Sequence, residues 1–303
     1  MALLVGIDEV GYGPKLGPLV VCAYAFRVPD ASVDLWKALR LKEIVVADSK
    51  EVYSPAKGIG PLEATALPFL AVLPASDISS LRTLAKRVAL GGESSLDGPW
   101  YGDVLLPLEA DRAAIDDDAV TIWNACRRAG VVPFGCWAAW AEPAAFNKAV
   151  LSGNKSDFLF DRACALVKAA LSASPGETAT FFIGKQGGRR FYLPGLVREF
   201  GSVWVLEEQR GTSRYQFIEK GRDVRISFLV DGEARHFGIA LASMLGKYLR
   251  ECAMRRFNEW WAERKPGLRP TAGYGTDGTR FYRDVEPELA KLNLRREQVL
   301  RSR

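Results

Sequence analysis

The stretch 3–27 constrains the chain more than any other part of it. Two apolar runs rich in β-branched residues, 3–8 and 18–27, flank a turn that carries Gly11, Gly13 and Gly17. Runs of this kind read as strands, and a glycine turn between them reads as a hairpin. The first run ends in two adjacent carboxylates, Asp8 and Glu9. Neighbouring side chains of a strand point to opposite faces, so one of the two acids is driven toward the packed side of the sheet. A buried carboxylate without a partner is costly. It calls for a cation, a hydrogen-bond network or a metal ion. The plain alternative is a strand ending at a solvated turn. The glycines weigh against it, because glycine lets backbone approach a ligand or take positive φ, and free N–H groups there can cradle a phosphate.

A chain of 303 residues can bury a substantial core, as one large domain or two small ones. Its 48% hydrophobic and 25% charged residues are ordinary for a soluble globular protein. The five cysteines, at 22, 126, 136, 164 and 252, are scattered and lack CxxC spacing. They read as reduced thiols of a cytoplasmic protein with no zinc site. No apolar run is long enough to span a bilayer, and the first strand starts too near Met1 to leave room for a signal peptide. A single histidine, His236, argues against histidine-triad chemistry.

The net charge of +5 is unevenly spread. Residues 185–303 carry 24 Lys and Arg against 15 Asp and Glu, whereas residues 1–184 carry 17 against 21. A basic half suits a polyanionic partner, since phosphate contacts dominate nucleic-acid affinity. Solvated helices would carry the same charge.

The remaining pattern alternates strands and helices. Short helices are expected at 34–41 and 79–88, longer helical spacing at 119–128 and 143–173, and a long amphipathic helix at 236–264. Strands are expected at 66–73, 178–183, 202–208, 213–219 and 223–230. The Gly-, Ser-, Pro- and Asp-rich stretch at 90–120 reads as a loop or the lip of an insertion. Gly184 to Arg190 forms a glycine-rich basic turn, and a basic helix is expected at 285–301. A hairpin first and alternating helices later indicate a mixed α/β layer fold.

Metal-dependent phosphodiester hydrolysis needs several carboxylates converging on divalent ions, which activate water and stabilise the attacking and leaving oxygens. Asp8 and Glu9 are therefore to be matched with acids at the ends of other elements. The stretch from Gly6 to Val20, GIDEVGYGPKLGPLV, resembles the N-terminal motif of ribonuclease HII. Asp48-Ser49-Lys50 resembles that family's DSK motif, and Ala240 to Glu251 its helix bearing a serine, here Ser243, and a lysine, here Lys247. Gly273-Tyr274-Gly275-Thr276 is similar to its late glycine–tyrosine turn. The motifs stand in the family's order and cover roughly 3–60 and 178–282.

The resemblance implies an α/β, ribonuclease H-like fold over residues 1–303: a mixed five-stranded sheet flanked by helices, with an insertion at about 90–145 and a basic helical segment at about 283–303. It implies a metal-dependent endonuclease using Mg2+ or Mn2+ on RNA in RNA–DNA hybrids or in ribonucleotide-containing duplexes. Asp8 and Glu9 match the family's first acidic pair. The acid before the serine-bearing helix falls on Glu233, with Asp231 two residues away as its competitor. The acid expected to end the strand at 180–183 is missing, because Gly184 stands there. This vacancy carries the alternative of a nucleic-acid-binding protein with weakened or lost hydrolysis. Gly11, Tyr12, Gly13, Lys15, Ser49, Lys50, Ser243, Lys247 and Tyr274 are the expected substrate contacts. Tyr12 replaces a basic residue of the family's turn, and Lys15, Lys185 or Arg189–Arg190 are the candidates to supply that charge. No membrane partner is expected, and the oligomeric state is not legible.

Each motif has a bland counterpart. Asp48 or Ser49 can simply cap a helix, Ser243 can be a satisfied core hydroxyl, and Lys247 can snorkel. Tyr274 stacks on a sugar or base, or only packs its own element. His236 is a structural donor or a proton shuttle. Asp277 is a turn aspartate or a replacement acid.

Overall fold

Strand β1 (Ala2–Val10) pairs antiparallel with β2 (Leu19–Val28), placing Asp8 opposite Cys22 and Val10 opposite Val20. The computed structural model describes residues 1–74, 77–92, 96 and 98–302. On its far edge β2 carries β3 (Val132–Ala141), also antiparallel. On the other side β1 runs parallel to β4 (Ala179–Gly184). Beyond β4 lie β5 (Val203–Glu208), β6 (Thr212–Glu219) and β7 (Arg222–Leu229), in the sheet order β3-β2-β1-β4-β7-β6-β5. β4 and β7 are parallel, and β7, β6 and β5 form an antiparallel meander.

Between β2 and β3 lie α1 (Leu35–Leu39), α2 (Ser49–Val52), α3 (Gly60–Ala71), α4 (Leu81–Val88) and α5 (Arg112–Ala129). Helices α6 (Pro143–Ser152) and α7 (Lys155–Ala173) lead into β4, and α8 (Leu193–Phe200) joins β4 to β5. After β7 come α9 (Gly232–Arg235), the 28-residue α10 (Phe237–Arg264), α11 (Gly275–Leu289) and α12 (Arg296–Val299).

The period-2 alternation of β1 divides the core. Leu3, Val5 and Ile7 pack with Leu159, Leu166 and Val167 of α7, whereas Leu4 packs with Leu241 and Leu245 of α10. Each such fully buried side chain contributes about 1.5–3 kcal/mol relative to exposure. Helix α10 lies on β1 without a spacer at one point. A Cβ on Gly6 would overlap the Gly238 carbonyl, so only glycine allows this approach.

Three expectations are corrected. The sheet has seven strands rather than five, because the antiparallel meander adds β6 and β5 beyond β7. Strand β3 lies inside the 90–145 stretch, of which residues 93–95 and 97 fall outside the described residues. Pro133 and Gly135 disguised it; the register shifts there, a bulge that an edge strand tolerates. Residues 66–71 of the expected strand at 66–73 belong to α3. Ala66, Leu67, Phe69 and Leu70 are all buried, and an apolar run buried all round has no period to read. The expected helix at 285–301 is instead the end of α11, a short turn and α12.

Candidate active site

The approach of Gly238 to Gly6 sets the site, because it carries the next turns of α10 past the end of β1. Asp8, on the same face as Leu4 and Gly6, is only 6% exposed and is hydrogen-bonded by the Ser243 hydroxyl. The Ser243 Oγ lies 3.2 Å from Ser49 Oγ at the start of α2. Either hydroxyl can be the donor of that contact. Burial pushes the Asp8 carboxyl up to about 8, and the charge of Glu233 on α9 adds to the effect. Glu9 points to the other face, half-buried in a cluster with Tyr12 and Tyr192. Its carboxyl is held well above the ordinary range by burial and then by Asp8.

Asp8, Glu9 and Glu233 thus share one electrostatic site. Asp231 is exposed, takes φ of 50° at the start of α9, and is not among the largest influences on Asp8 or Glu9. Gly184 ends β4 directly against the pair, where a Cβ would overlap Asp8 Oδ1. The vacancy expected from the sequence is therefore at the carboxylate itself. Among the described residues no three His, Cys, Asp or Glu side chains form a metal-binding group.

Lys50 is exposed, and its ammonium lies 3.8 Å from Asp48 Oδ2, while its charge favours ionisation of Asp8 and Glu9. Asp48 also caps α2 by accepting from the Lys50 N–H, so the capping role and the proximity to the site coexist. Lys247 is bound: its Nζ lies 2.9 Å from Glu251 Oε1 and 4.6 Å from the Tyr53 ring centre. Tyr53 donates to the other Glu251 oxygen at 2.8 Å. Tyr274 is 42% exposed, with the buried Arg250 guanidinium over its ring at 5.2 Å.

The glycine turn is held from behind. Gly11 and Gly17 take φ of 83° and 77°. The buried Arg301 guanidinium donates to the carbonyls of Gly11, Pro14 and Gly17, and its backbone N–H to that of Lys15. Of the lysines and arginines proposed to replace the basic residue at 12, three are engaged elsewhere and the fourth, Arg190, is exposed. Lys15 donates to Thr279, Lys185 to the Arg210 carbonyl, and Arg189 is paired with Asp157. Sequence reasoning missed Lys155, whose ammonium lies 4.0 Å from the Tyr12 ring centre. It missed Arg301 as well. Both are separated from the turn by well over a hundred residues, and no local pattern marks either.

His236 is structural. Its Nδ1 accepts from the Gly238 N–H at 3.1 Å at the start of α10, its ring stacks on Phe182 at 3.8 Å, and burial pushes it down to about 4. Asp277 accepts from Thr271 and Arg280. Trp261 is buried against Phe257 and Phe281.

The sheet order and the flanking helices give the chain a ribonuclease H-like fold. Within that fold the N-terminal part of the chain is similar to ribonuclease HII. The ribonuclease HII family model matches residues 5–58. Ribonuclease HII of Methanocaldococcus jannaschii is 44% identical over 50 residues, which are 16% of this chain and 19% of that relative. The chain is thus matched to about a fifth of the length of this curated relative. The crystal structure of ribonuclease H2 from Pyrococcus horikoshii has 13% identity and a TM-score of 0.51, covering 98% of this chain and 92% of that one. RNase HII of Archaeoglobus fulgidus, in its complex with PCNA, has 16% identity and a TM-score of 0.48, covering 99% and 94%. No described helix is long and apolar enough to cross a membrane.

Proposed function

We propose that this chain is a metal-dependent endonuclease acting on RNA in RNA–DNA hybrids or on ribonucleotide-containing duplexes. The observation that carries this reading is the pairing of Asp8 with Glu233 beside the glycine turn, over the Ser243–Ser49 hydrogen bond. Two like charges in a dry setting repel, and a divalent cation between them would let both ionise. Carboxylate oxygens with neighbouring hydroxyls suit Mg2+ or Mn2+. Asp8 and Glu233 would hold the ion, with Glu9 at the adjoining strand end and Asp231 in reserve. Such an ion supplies an activated water and a charge that stabilises the phosphoryl oxygens.

The protein's own residues orient the rest. Ser243 fixes one Asp8 oxygen and Ser49 fixes Ser243. Lys50 presents its ammonium to solvent beside the carboxylates, where it would meet a strand phosphate. Gly11 and Gly13 offer backbone to the same strand, Lys15 lies further along the turn, and Tyr12 and Tyr274 offer aromatic faces. Lys247, tied to Glu251, would set the wall of the groove.

One observation favours a second reading. Gly184 leaves the site one carboxylate short of a set that would hold two ions, which suits a nucleic-acid-binding protein with weak or no hydrolysis. A single experiment separates them. The protein is incubated with a labelled hybrid and with a duplex containing one ribonucleotide, in Mg2+ and then Mn2+. Cleavage abolished by Asp8→Asn supports the enzyme. Salt-sensitive binding without cleavage supports the second reading, and cleavage that survives Asp8→Asn places the chemistry elsewhere.

A further inference from the structure

The cation missing from the glycine turn itself is supplied in space by another element. Lys155 is the first residue of α7, which Asn154 caps by accepting from the Asp157 N–H at 2.8 Å. The side chain reaches back over the turn, its ammonium 4.0 Å from the Tyr12 ring centre and 5.8 Å from that of Phe146. Among the described residues no carboxylate lies within ion-pair distance of it. A half-buried ammonium held only by aromatic faces is an unusual arrangement, since removing a cation from water normally demands a counter-charge. Burial and the nearby Arg301 charge both work against its protonation. Arg301 shares the Phe146 ring from 5.0 Å, so two cations gather behind the turn.

The other side of Tyr12 is equally specific. A Cβ on Gly187 would stand 3.4 Å from the Tyr12 ring, so the loop after β4 braces the tyrosine where Lys155 meets it. Gly13, which directly follows Tyr12, is exposed, and a Cβ there would meet nothing within 4 Å. Its surroundings are open space. An anion entering beside Gly13 would find an uncompensated ammonium and an aromatic hydroxyl without a partner among the described residues.

We propose that Lys155 and Tyr12 form a phosphodiester subsite, in which Lys155 is the cation that grips the nucleic-acid backbone next to the glycine turn. This rests on the nucleic-acid reading of the site above. It extends that reading with a residue from α7, on the face of the sheet opposite Ser243 and Lys50.

The test is the salt dependence of binding. A short fluorescein-labelled RNA–DNA hybrid is titrated by anisotropy at several salt concentrations in EDTA, where hydrolysis is silent. Each neutralised phosphate contributes about 0.9 to the slope of log affinity against log salt. Lys155→Ala is expected to weaken low-salt binding about tenfold and to lower that slope by about one. Lys155→Arg should keep the wild-type slope. Lys155→Gln, which retains the alkyl stem over Tyr12, gives the same reading if the alanine variant unfolds. Lys168→Ala, which removes a lysine paired with Glu199 further along α7, should leave the slope unchanged. Wild-type binding with an unchanged slope in Lys155→Ala and Lys155→Gln overturns this subsite alone. Absence of wild-type binding overturns the nucleic-acid reading and the subsite with it.

Discussion

Gly184 abuts the Asp8 carboxylate so closely that no side chain fits at 184 while Asp8 keeps its position. The end of β4 therefore controls where the first acid of the site points. Gly184→Ala should displace the Asp8 oxygen from Ser243 and cost about 1–3 kcal/mol, as overpacking does. Gly184→Asp adds a third negative charge to the same space. In EDTA it should melt well below the wild type, and Mg2+ or Mn2+ should raise its melting temperature more than that of the wild type. Thermal unfolding with and without divalent ion measures both. Equal metal-induced shifts in the two proteins would show that position 184 is not part of the ion's surroundings.

The raised Asp8 carboxyl makes stability depend on pH in a defined sense. In the folded chain it holds its proton up to about 8, whereas unfolded it loses it near 3.8. The folded state thus binds more protons across that window, and stability falls as pH rises through it. Without divalent ion, the wild type should lose on the order of a few kcal/mol between about pH 4 and pH 8. Asp8→Asn removes this group and the charge that adds to the rise of Glu9, so the curve should become shallower, with Glu9 carrying what slope remains, and the variant should be the more stable protein near pH 8. Denaturant melts at a series of pH values in EDTA check this, and parallel curves for the two proteins would remove Asp8 as the cause.

Much of this site is legible in the sequence because it is local. Asp8 and Glu9 sit at the end of one strand, Ser49 and Lys50 follow an N-cap, and Ser243 and Lys247 lie one helical turn apart. The structure brings Ser49 and Ser243 together from elements 194 residues apart, an adjacency that neither motif shows by itself. What the sequence conceals is of two kinds. The buried half of α3 has no polar face, so its period vanishes, and β3 is interrupted by Pro133 at a bulge. Lys155 and Arg301 reach the glycine turn only through tertiary packing, and their own neighbourhoods in sequence read as ordinary helix starts and chain ends.

His236 separates structure from chemistry in the same region. Held near 4 by burial, it is neutral throughout the neutral range and takes up no proton between pH 5 and 8. Its work is to accept the Gly238 N–H and to stack on Phe182. His236→Asn keeps a capping acceptor and should leave the pH profile of duplex binding or cleavage unchanged over that range. His236→Ala loses the cap and the stack and should cost about 1–2 kcal/mol more than the asparagine variant. A change in the pH profile of His236→Asn would assign the imidazole a proton-transfer role after all.

Arg301 is the clamp of the glycine turn, and its geometry predicts what replaces it poorly. Its guanidinium spans three carbonyls, those of Gly11, Pro14 and Gly17, from a buried position without a carboxylate partner among the described residues. A planar fork can satisfy several acceptors at once, whereas a lysine ammonium acts as one point charge. Arg301→Ala leaves those carbonyls buried and unpaired, a cost of about 2–4 kcal/mol. Arg301→Lys should recover less than half of it. Because the acceptors belong to the turn, the loss should be local before it is global. Hydrogen exchange at the amides of residues 11–17 should speed up in both variants under conditions where β1 and β4 stay protected. Uniform acceleration across the sheet would instead make Arg301 a general support of the fold, with no particular hold on the turn beside Asp8 and Glu9.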